Sequence, residues 1–293
     1  MYFLEGAPEV LKTIMLLVAD EQESRLEVDI ESLRERYIDF CVSIGGEELR
    51  PLDNNIQFCF NSKRINALVS KYTDYSQLTD INADIEDTPT EVRQEAMNAI
   101  LAGKVKLREA DETLFSLFEF IIHTMFYHRS TKTGGGSLTS APGQIWCSHK
   151  RNWSDRDIAE FLVHELVHNI VFLDERRYVH YLNFDDIARP ENYVKSAVLN
   201  RVRPLDKVIH SLVVAHEILK YRAIYGEPFL PKVHPDSLTM LSNSTQALKE
   251  AKHMVGSRPL VTDRVHYLLD KLDQSFSTMV FHQDEMQSKE ILA

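Results

Sequence analysis

The feature that most constrains this chain is a long apolar segment, Ile158 to Leu173, which carries an H-E-x-x-H motif at its centre. Its apolar residues recur at the three- and four-residue spacing of a helix. Just before it, Ser154 and Asp157 have the Ser-x-x-acid form of a capping box. We therefore predict a helix that begins near Ser154 and presents the motif from its middle.

The motif itself predicts a metal site. On a helix, residues four positions apart share a face, so His164 and His168 can bind one divalent ion. Glu165 lies beside that face, where a carboxylate can take a proton from metal-bound water. The competing interpretation is a non-enzymatic, mainly helical interaction protein with packed histidines. We predict a metal-dependent enzyme with His164 and His168 as ligands and Glu165 as a catalytic residue.

Two histidines do not complete such a site, because a catalytic metal usually has three protein ligands and an open position. The helix predicted over Leu205 to Tyr225 carries His210 and Glu217 seven residues apart, on one face. We predict that one of them is the third ligand. Arg201 and Arg203 precede this helix, and an arginine there can clamp a carboxylate of a peptide terminus or of a dicarboxylate cosubstrate.

The remaining patterns predict a predominantly helical α+β fold, with two metal-bearing helices and a small antiparallel sheet. Residues 1–105 are predicted to be a helical N-terminal region for partner or leader recognition, and residues 106–293 a metal-binding catalytic domain. Gly143 to Ser148 is a predicted strand that, at a sheet edge, would bind an extended peptide. Gly134 to Ser137 is interpreted as a ligand-wrapping loop or a flexible connection. Asp80 to Asp87 is predicted to be a surface connection.

Composition narrows the classes of partner. The chain has 33 basic against 44 acidic residues, a net charge of −11, which disfavours binding to nucleic acid or anionic membrane through bulk electrostatics. Its three cysteines have no C-x-x-C spacing, so neither a disulfide framework nor a thiolate zinc cluster is expected. The apolar run Ile14 to Ala19 is far shorter than the roughly 20 residues of a membrane helix. We expect a cytoplasmic protein; its oligomeric state does not follow from the sequence.

One further pattern spans about a third of the chain, from Thr131 to Tyr225. It consists of Gly134-Gly-Gly-Ser, Pro142-Gly-Gln-Ile-Trp146, Ala159-Glu-Phe-Leu-Val-His164-Glu-Leu-Val-His168, and Ser196-Ala-Val-Leu-Asn-Arg-Val-Arg-Pro204-Leu with His210 six residues after the proline. This pattern resembles the H-E-x-x-H proteins of peptide natural-product pathways, a family described as 2-oxoglutarate-dependent peptide β-hydroxylases. Its specific element is the Arg-Pro pair with the trailing histidine.

The resemblance implies an iron site and a cosubstrate. Fe(II) would be held by His164, His168 and His210, and Arg203 would bind a carboxylate of 2-oxoglutarate. We therefore predict an Fe(II)/2-oxoglutarate-dependent hydroxylase that acts on a side-chain carbon of a peptide or peptide-derived substrate.

The alternative is a zinc metallopeptidase. In that enzyme His210 or Glu217 would complete a Zn(II) site, and Glu165 would be the general base. The Arg-Pro-His segment favours the oxygenase, because a peptidase does not need a carboxylate clamp at that position.

Overall fold

The computed structural model describes residues 1–19, 29–51, 57–74, 88–225 and 230–279. Its helices are α1 (Tyr2–Glu5), α2 (Ala7–Val18), α3 (Ile30–Gly45), α4 (Ser62–Asp74), α5 (Thr90–Ala110), α6 (Glu112–Ile121), α7 (Asp155–Arg177), α8 (Phe184–Ile187), α9 (Leu205–Tyr225), α10 (Ser237–Ser257) and α11 (Asp263–Thr278). Its strands are β1 (Gln57–Phe58), β2 (Thr124–Tyr127), β3 (Gly135–Leu138), β4 (Ala141–Cys147), β5 (Val194–Lys195) and β6 (Val202–Arg203). The predicted connection at Asp80 to Asp87 lies outside the described residues.

The predominantly helical α+β class is confirmed by this element order. Contacts divide the chain into two compact units: Ala7–Arg177, here called the motif unit, and Met1–Gly6 with Tyr178–Ala293, here called the α9 unit. The functional division at residue 105 is a different assignment and stays a prediction.

The motif unit contains a four-stranded mixed sheet with the strand order β1-β2-β4-β3. β2 pairs in parallel with β1 and with β4, whereas β3 pairs antiparallel with β4. The predicted strand at Gly143 to Ser148 is β4, but it is not an edge strand, because it lies between β2 and β3 and is buried along its length. The antiparallel edge is β3, at the position interpreted from sequence as a loop or a flexible connection.

The helix predicted over Ile158 to Leu173 is confirmed as α7. It packs against α2, α5 and α6 and against strands β3 and β4. The predicted capping box is present before its first turn. The Ser154 N–H donates to Asp157 Oδ2 at 2.8 Å, and the Asp157 N–H donates to Ser154 Oγ at 3.2 Å. These reciprocal bonds satisfy N–H groups that the first helical turn would otherwise leave unpaired.

The α9 unit is organised around a second buried helix. α9 packs against α1, α10 and α11, and every residue from Leu205 to Leu219 except Lys207 is buried. The antiparallel pair β5–β6 precedes it, with Val194 opposite Arg203. The helix predicted over Leu205 to Tyr225 is therefore confirmed. Among the described residues, no helix is long and apolar enough to cross a membrane.

Candidate metal centre

The two motif histidines are the places where the middle of α7 reaches solvent. From Asp157 to Asp174 every residue of this helix is buried except His164 and His168, which are half-buried. A helix that is packed on all sides by other elements normally has no accessible residue over such a length. Between Asp157 and Asp174, the accessible surface of α7 is thus confined to the two positions that the sequence predicts as metal ligands.

The two rings face a common point. His164 Nε2 and His168 Nε2 lie 3.1 Å apart, with the ring planes inclined at 60°. Two imidazole nitrogens that each bind one ion at about 2.0–2.1 Å are about 2.9 Å apart at a right angle and about 3.4 Å apart at the tetrahedral angle. The observed separation lies between these values, so the pair fits a single divalent ion.

Glu165 is buried beside this pair. Its Oε1 lies 4.0 Å from His164 Nε2, and its Oε2 accepts a hydrogen bond from Ser137 Oγ at 2.8 Å. Burial raises the pKa of Glu165 to about 8, although the hydrogen bond from Ser137 lowers this pKa in part. The carboxyl therefore lies next to the histidine pair and exchanges a proton near neutral pH.

Two residues that the sequence reasoning missed position this carboxyl. Asn169 Nδ2 donates to Ser137 Oγ at 3.1 Å and to the Glu165 carbonyl oxygen at 2.9 Å, while Asn169 Oδ1 accepts from the Gly143 N–H at 2.7 Å. Ser137 in turn holds the Glu165 side chain. One feature of the sequence could have indicated this network. Asn169 is a polar side chain in an otherwise apolar stretch of helix, and such a side chain requires buried hydrogen-bond partners.

The glycines of β3 allow close packing against α7 and the sheet. A Cβ atom on Gly134 would lie 2.4 Å from the Trp153 ring, and one on Gly135 would lie 2.2 Å from the Trp146 carbonyl oxygen and 2.6 Å from the Phe161 ring. Gly135 also has a φ of +143°, which L side chains rarely adopt. The glycine run is therefore a packing requirement of an edge strand, which brings Ser137 to Glu165.

The α9 unit holds the other predicted site residues. His210 is buried in the first half of α9, Arg203 is half-buried in β6, and Arg201 is exposed just before β6. The structure brings His164, Glu165 and His168 together in the motif unit. Within the described residues, no group of three or more His, Cys, Asp or Glu side chains is arranged to hold a metal ion. The third ligand therefore stays a prediction.

Glu217 is fully engaged inside the α9 unit. Its Oε2 accepts from the Phe3 N–H at 2.8 Å, and its Oε1 accepts from the Leu4 N–H at 3.2 Å and His216 Nδ1 at 3.0 Å and pairs with the Met1 amino group at 2.9 Å. Burial acts to raise the pKa of Glu217, but the amino group and His216 outweigh it and lower the pKa to about 2. These partners favour His210 over Glu217 as the remaining candidate ligand.

Comparisons with known proteins add no identity. No protein-family model matches the chain, and no curated protein matches it.

Proposed function

We propose that this chain is an Fe(II)/2-oxoglutarate-dependent hydroxylase that acts on a side-chain carbon of a peptide or peptide-derived substrate. The observation that carries the metal site is the histidine pair, with Nε2 atoms 3.1 Å apart at the two accessible positions of an otherwise buried stretch of α7. Two imidazoles in this arrangement are a common feature of iron and zinc sites.

The oxygenase assignment adds residues of the α9 unit to that pair. His210 would be the third ligand, and Arg203, supported by Arg201, would bind the carboxylates of 2-oxoglutarate, as the Arg-Pro-His segment implies. Bound Fe(II) would supply the oxygen-activating chemistry, with 2-oxoglutarate as the co-reductant. Glu165 would hold or release a proton beside His164.

A peptide substrate is supported by the position of β3 at the edge of the four-stranded sheet. In the register with β4, Gly136 is opposite Trp146, and the Gly134 carbonyl accepts from the Ser148 N–H. The register shifts between Gly136 and Leu138, so Ser137 lies at an irregularity in the pairing of β3 with β4. An extended peptide that lies along β3 there would pass beside Glu165, which the Ser137 side chain holds.

A second candidate is a zinc metallopeptidase, and a specific observation favours it. Glu165 is buried at the histidine pair with its pKa raised to about 8, so its carboxyl is held where a general base of peptide hydrolysis is needed. An oxygenase does not require a general base at this position.

The cytoplasmic location belongs to the same proposal. Cys41, Cys59 and Cys147 are free and buried, an arrangement typical of proteins from reducing compartments.

The first experiment measures metal and cosubstrate together. Protein purified without added metal is analysed for metal content, reconstituted anaerobically with Fe(II), and titrated with 2-oxoglutarate while the visible metal-to-ligand charge-transfer band is recorded. One bound iron per chain and a band that Arg203→Ala abolishes, but the exposed control Arg108→Ala retains, support the oxygenase. Tightly bound zinc, no response to 2-oxoglutarate, and peptide cleavage that Glu165→Gln abolishes would support the peptidase instead. A chain that binds neither metal would contradict both.

A further inference from the structure

Three of the four strands of the motif-unit sheet, β2, β3 and β4, lie in a segment with an unusual charge. Residues 120–154 contain no aspartate or glutamate, although the chain has 44 acidic residues and a net charge of −11. The same segment carries four cations, Arg129, Lys132, Lys150 and Arg151. We call these four residues the basic edge. A local positive region on a strongly acidic protein would attract anionic ligands that the rest of the surface repels.

The fold gathers the basic edge at one end of the sheet. β2 and β4 are parallel, so the residues that follow them leave the sheet side by side. The His128 N–H donates to the Cys147 carbonyl oxygen at 3.2 Å, and the Ser130 N–H donates to Ser148 Oγ at 2.6 Å. The carboxyl ends of parallel strands are where open sheets most often bind ligands.

Two cations of the basic edge and the His149 ring lie around the phenol of Tyr127. The His149 ring centroid lies 5.2 Å from that of Tyr127, and the Arg129 side chain hydrogen-bonds the phenol, which also feels the charge of Arg151. Lys150 Nζ is held by the Thr133 carbonyl oxygen at 2.9 Å and by the Ser130 carbonyl oxygen. Contacts with the sheet and its loops thus position Arg129 and Lys150.

Three of these cations lack acidic partners within the part of the chain that the structure describes. Arg129, Lys132 and Arg151 make no ion pair there with any aspartate or glutamate, and Lys132 and Arg151 are exposed. Surface arginines elsewhere in the motif unit do pair with carboxylates, as Arg50 does with Asp39 at 2.6 Å. An exposed guanidinium without a partner is available to a bidentate carboxylate ligand.

The basic edge also continues the edge strand. Lys132 lies three residues before Gly135, where β3 begins. A peptide that lies along β3 and extends past Gly135 would therefore reach these cations. We infer that the basic edge binds an acidic segment of the peptide substrate, adjacent to the residues that lie along β3. This inference rests on the proposed function, because it takes its ligand from the peptide substrate class.

The test uses two fluorescein-labelled 16-residue peptides and fluorescence anisotropy at low salt. Both peptides are Ser/Thr-rich and extended, and they differ only in a terminal block of four residues, Glu in one and Gln in the other. The full chain should bind the Glu peptide at least tenfold more tightly, and this preference should shrink as salt is added. The triple variant Arg129→Gln, Lys132→Gln, Arg151→Gln should lose the preference.

A matched variant controls for net charge. Lys63→Gln, Lys195→Gln, Lys249→Gln removes three exposed charges elsewhere and should keep the tenfold preference. Equal binding of the two peptides, or equal loss in both triple variants, would overturn the inference. A 16-nucleotide single strand that binds more tightly than the Glu peptide, and is released by the first variant alone, would also overturn it and assign the surface to nucleic acid.

Metal content, measured on the same samples, separates this result from the proposed function. The inference is supported if the variant at Arg129, Lys132 and Arg151 keeps the wild-type metal content but loses the preference for the Glu peptide. A chain without metal that still prefers the Glu peptide would contradict the enzyme and leave the acidic-segment site in place.

Discussion

Asn169 Oδ1 accepts the peptide N–H of Gly143 at 2.7 Å and so joins the motif helix to the central strand across 26 residues of sequence. The amide nitrogen of the same side chain donates to Ser137 Oγ, and Ser137 in turn holds the Glu165 carboxyl. Asn169 therefore links the central strand β4, the edge strand β3 and the carboxyl of Glu165. The placement of the candidate base therefore depends on a hydrogen-bond chain that begins outside the H-E-x-x-H motif.

Removal of this link should cost stability. Asn169→Leu keeps the branched shape of the side chain but leaves the buried Gly143 N–H without its acceptor, so the free energy of unfolding should fall by about 1–3 kcal/mol. Urea unfolding at pH 7 measures it. The exposed helical control Asn98→Leu should change stability by less than about 0.5 kcal/mol. Equal effects at both positions would show that the hydrogen bond to Gly143 contributes nothing.

Glu165→Gln should produce a pH-dependent gain in stability in the metal-free protein. Burial raises the pKa of Glu165 to about 8 from the usual value of 4.5. The folded chain then favours the protonated carboxyl, so the charged form lowers the free energy of unfolding once the pH exceeds 4.5, and the loss grows until about pH 8. The variant should match the wild type at pH 4.5 and exceed it by roughly 2–5 kcal/mol at pH 8.

The measurement is urea unfolding with a chelator present, at both pH values. Glu95→Gln, at an exposed position of α5, should give the same difference from wild type at pH 4.5 and pH 8. If Glu165→Gln also shows no dependence on pH, the carboxyl is not desolvated as the structure places it. A stability gain combined with lost activity would be typical of a functional residue kept at the expense of stability.

Metal content tests the ligand set. His164→Ala and His168→Ala should each reduce bound metal to below a tenth of the wild-type value, because each removes one of two nitrogens that share the ion. His210→Ala should weaken metal binding at least tenfold if it supplies the third ligand. The exposed control His253→Ala should bind as the wild type does. Full occupancy in His210→Ala, measured by elemental analysis after dialysis, would remove His210 from the ligand set.

Features that depend on residues close together in sequence could be predicted, whereas features that depend on contacts between distant segments could not. The helix spacing of His164 and His168 is local, so the sequence predicts that both rings lie on one face of α7, where their Nε2 atoms are 3.1 Å apart. Whether β4 lies at an edge depends on its pairing with β2 and β3, which no local pattern encodes, and the structure places β4 between them. Likewise the carboxylate of Glu217 appears available in the sequence, but backbone groups more than 200 residues away occupy it.

The glycines of β3 supply the sharpest test of the edge strand. Gly135→Ala places a Cβ 2.2 Å from the Trp146 carbonyl oxygen at a φ of +143°, so either β3 must shift away from β4 or the chain must bear the strain. We expect a loss of at least about 2 kcal/mol in the free energy of unfolding. A shifted β3 would also carry Ser137 away from Glu165, so activity should fall together with stability.

Gly256→Ala is the matched control, since it lies within α10 and its Cβ would meet nothing within 4 Å. It should be neutral or stabilising by up to about 1 kcal/mol, because alanine is the better helix former. Wild-type stability in Gly135→Ala would mean that the strand does not pack against β4 as closely as the structure shows.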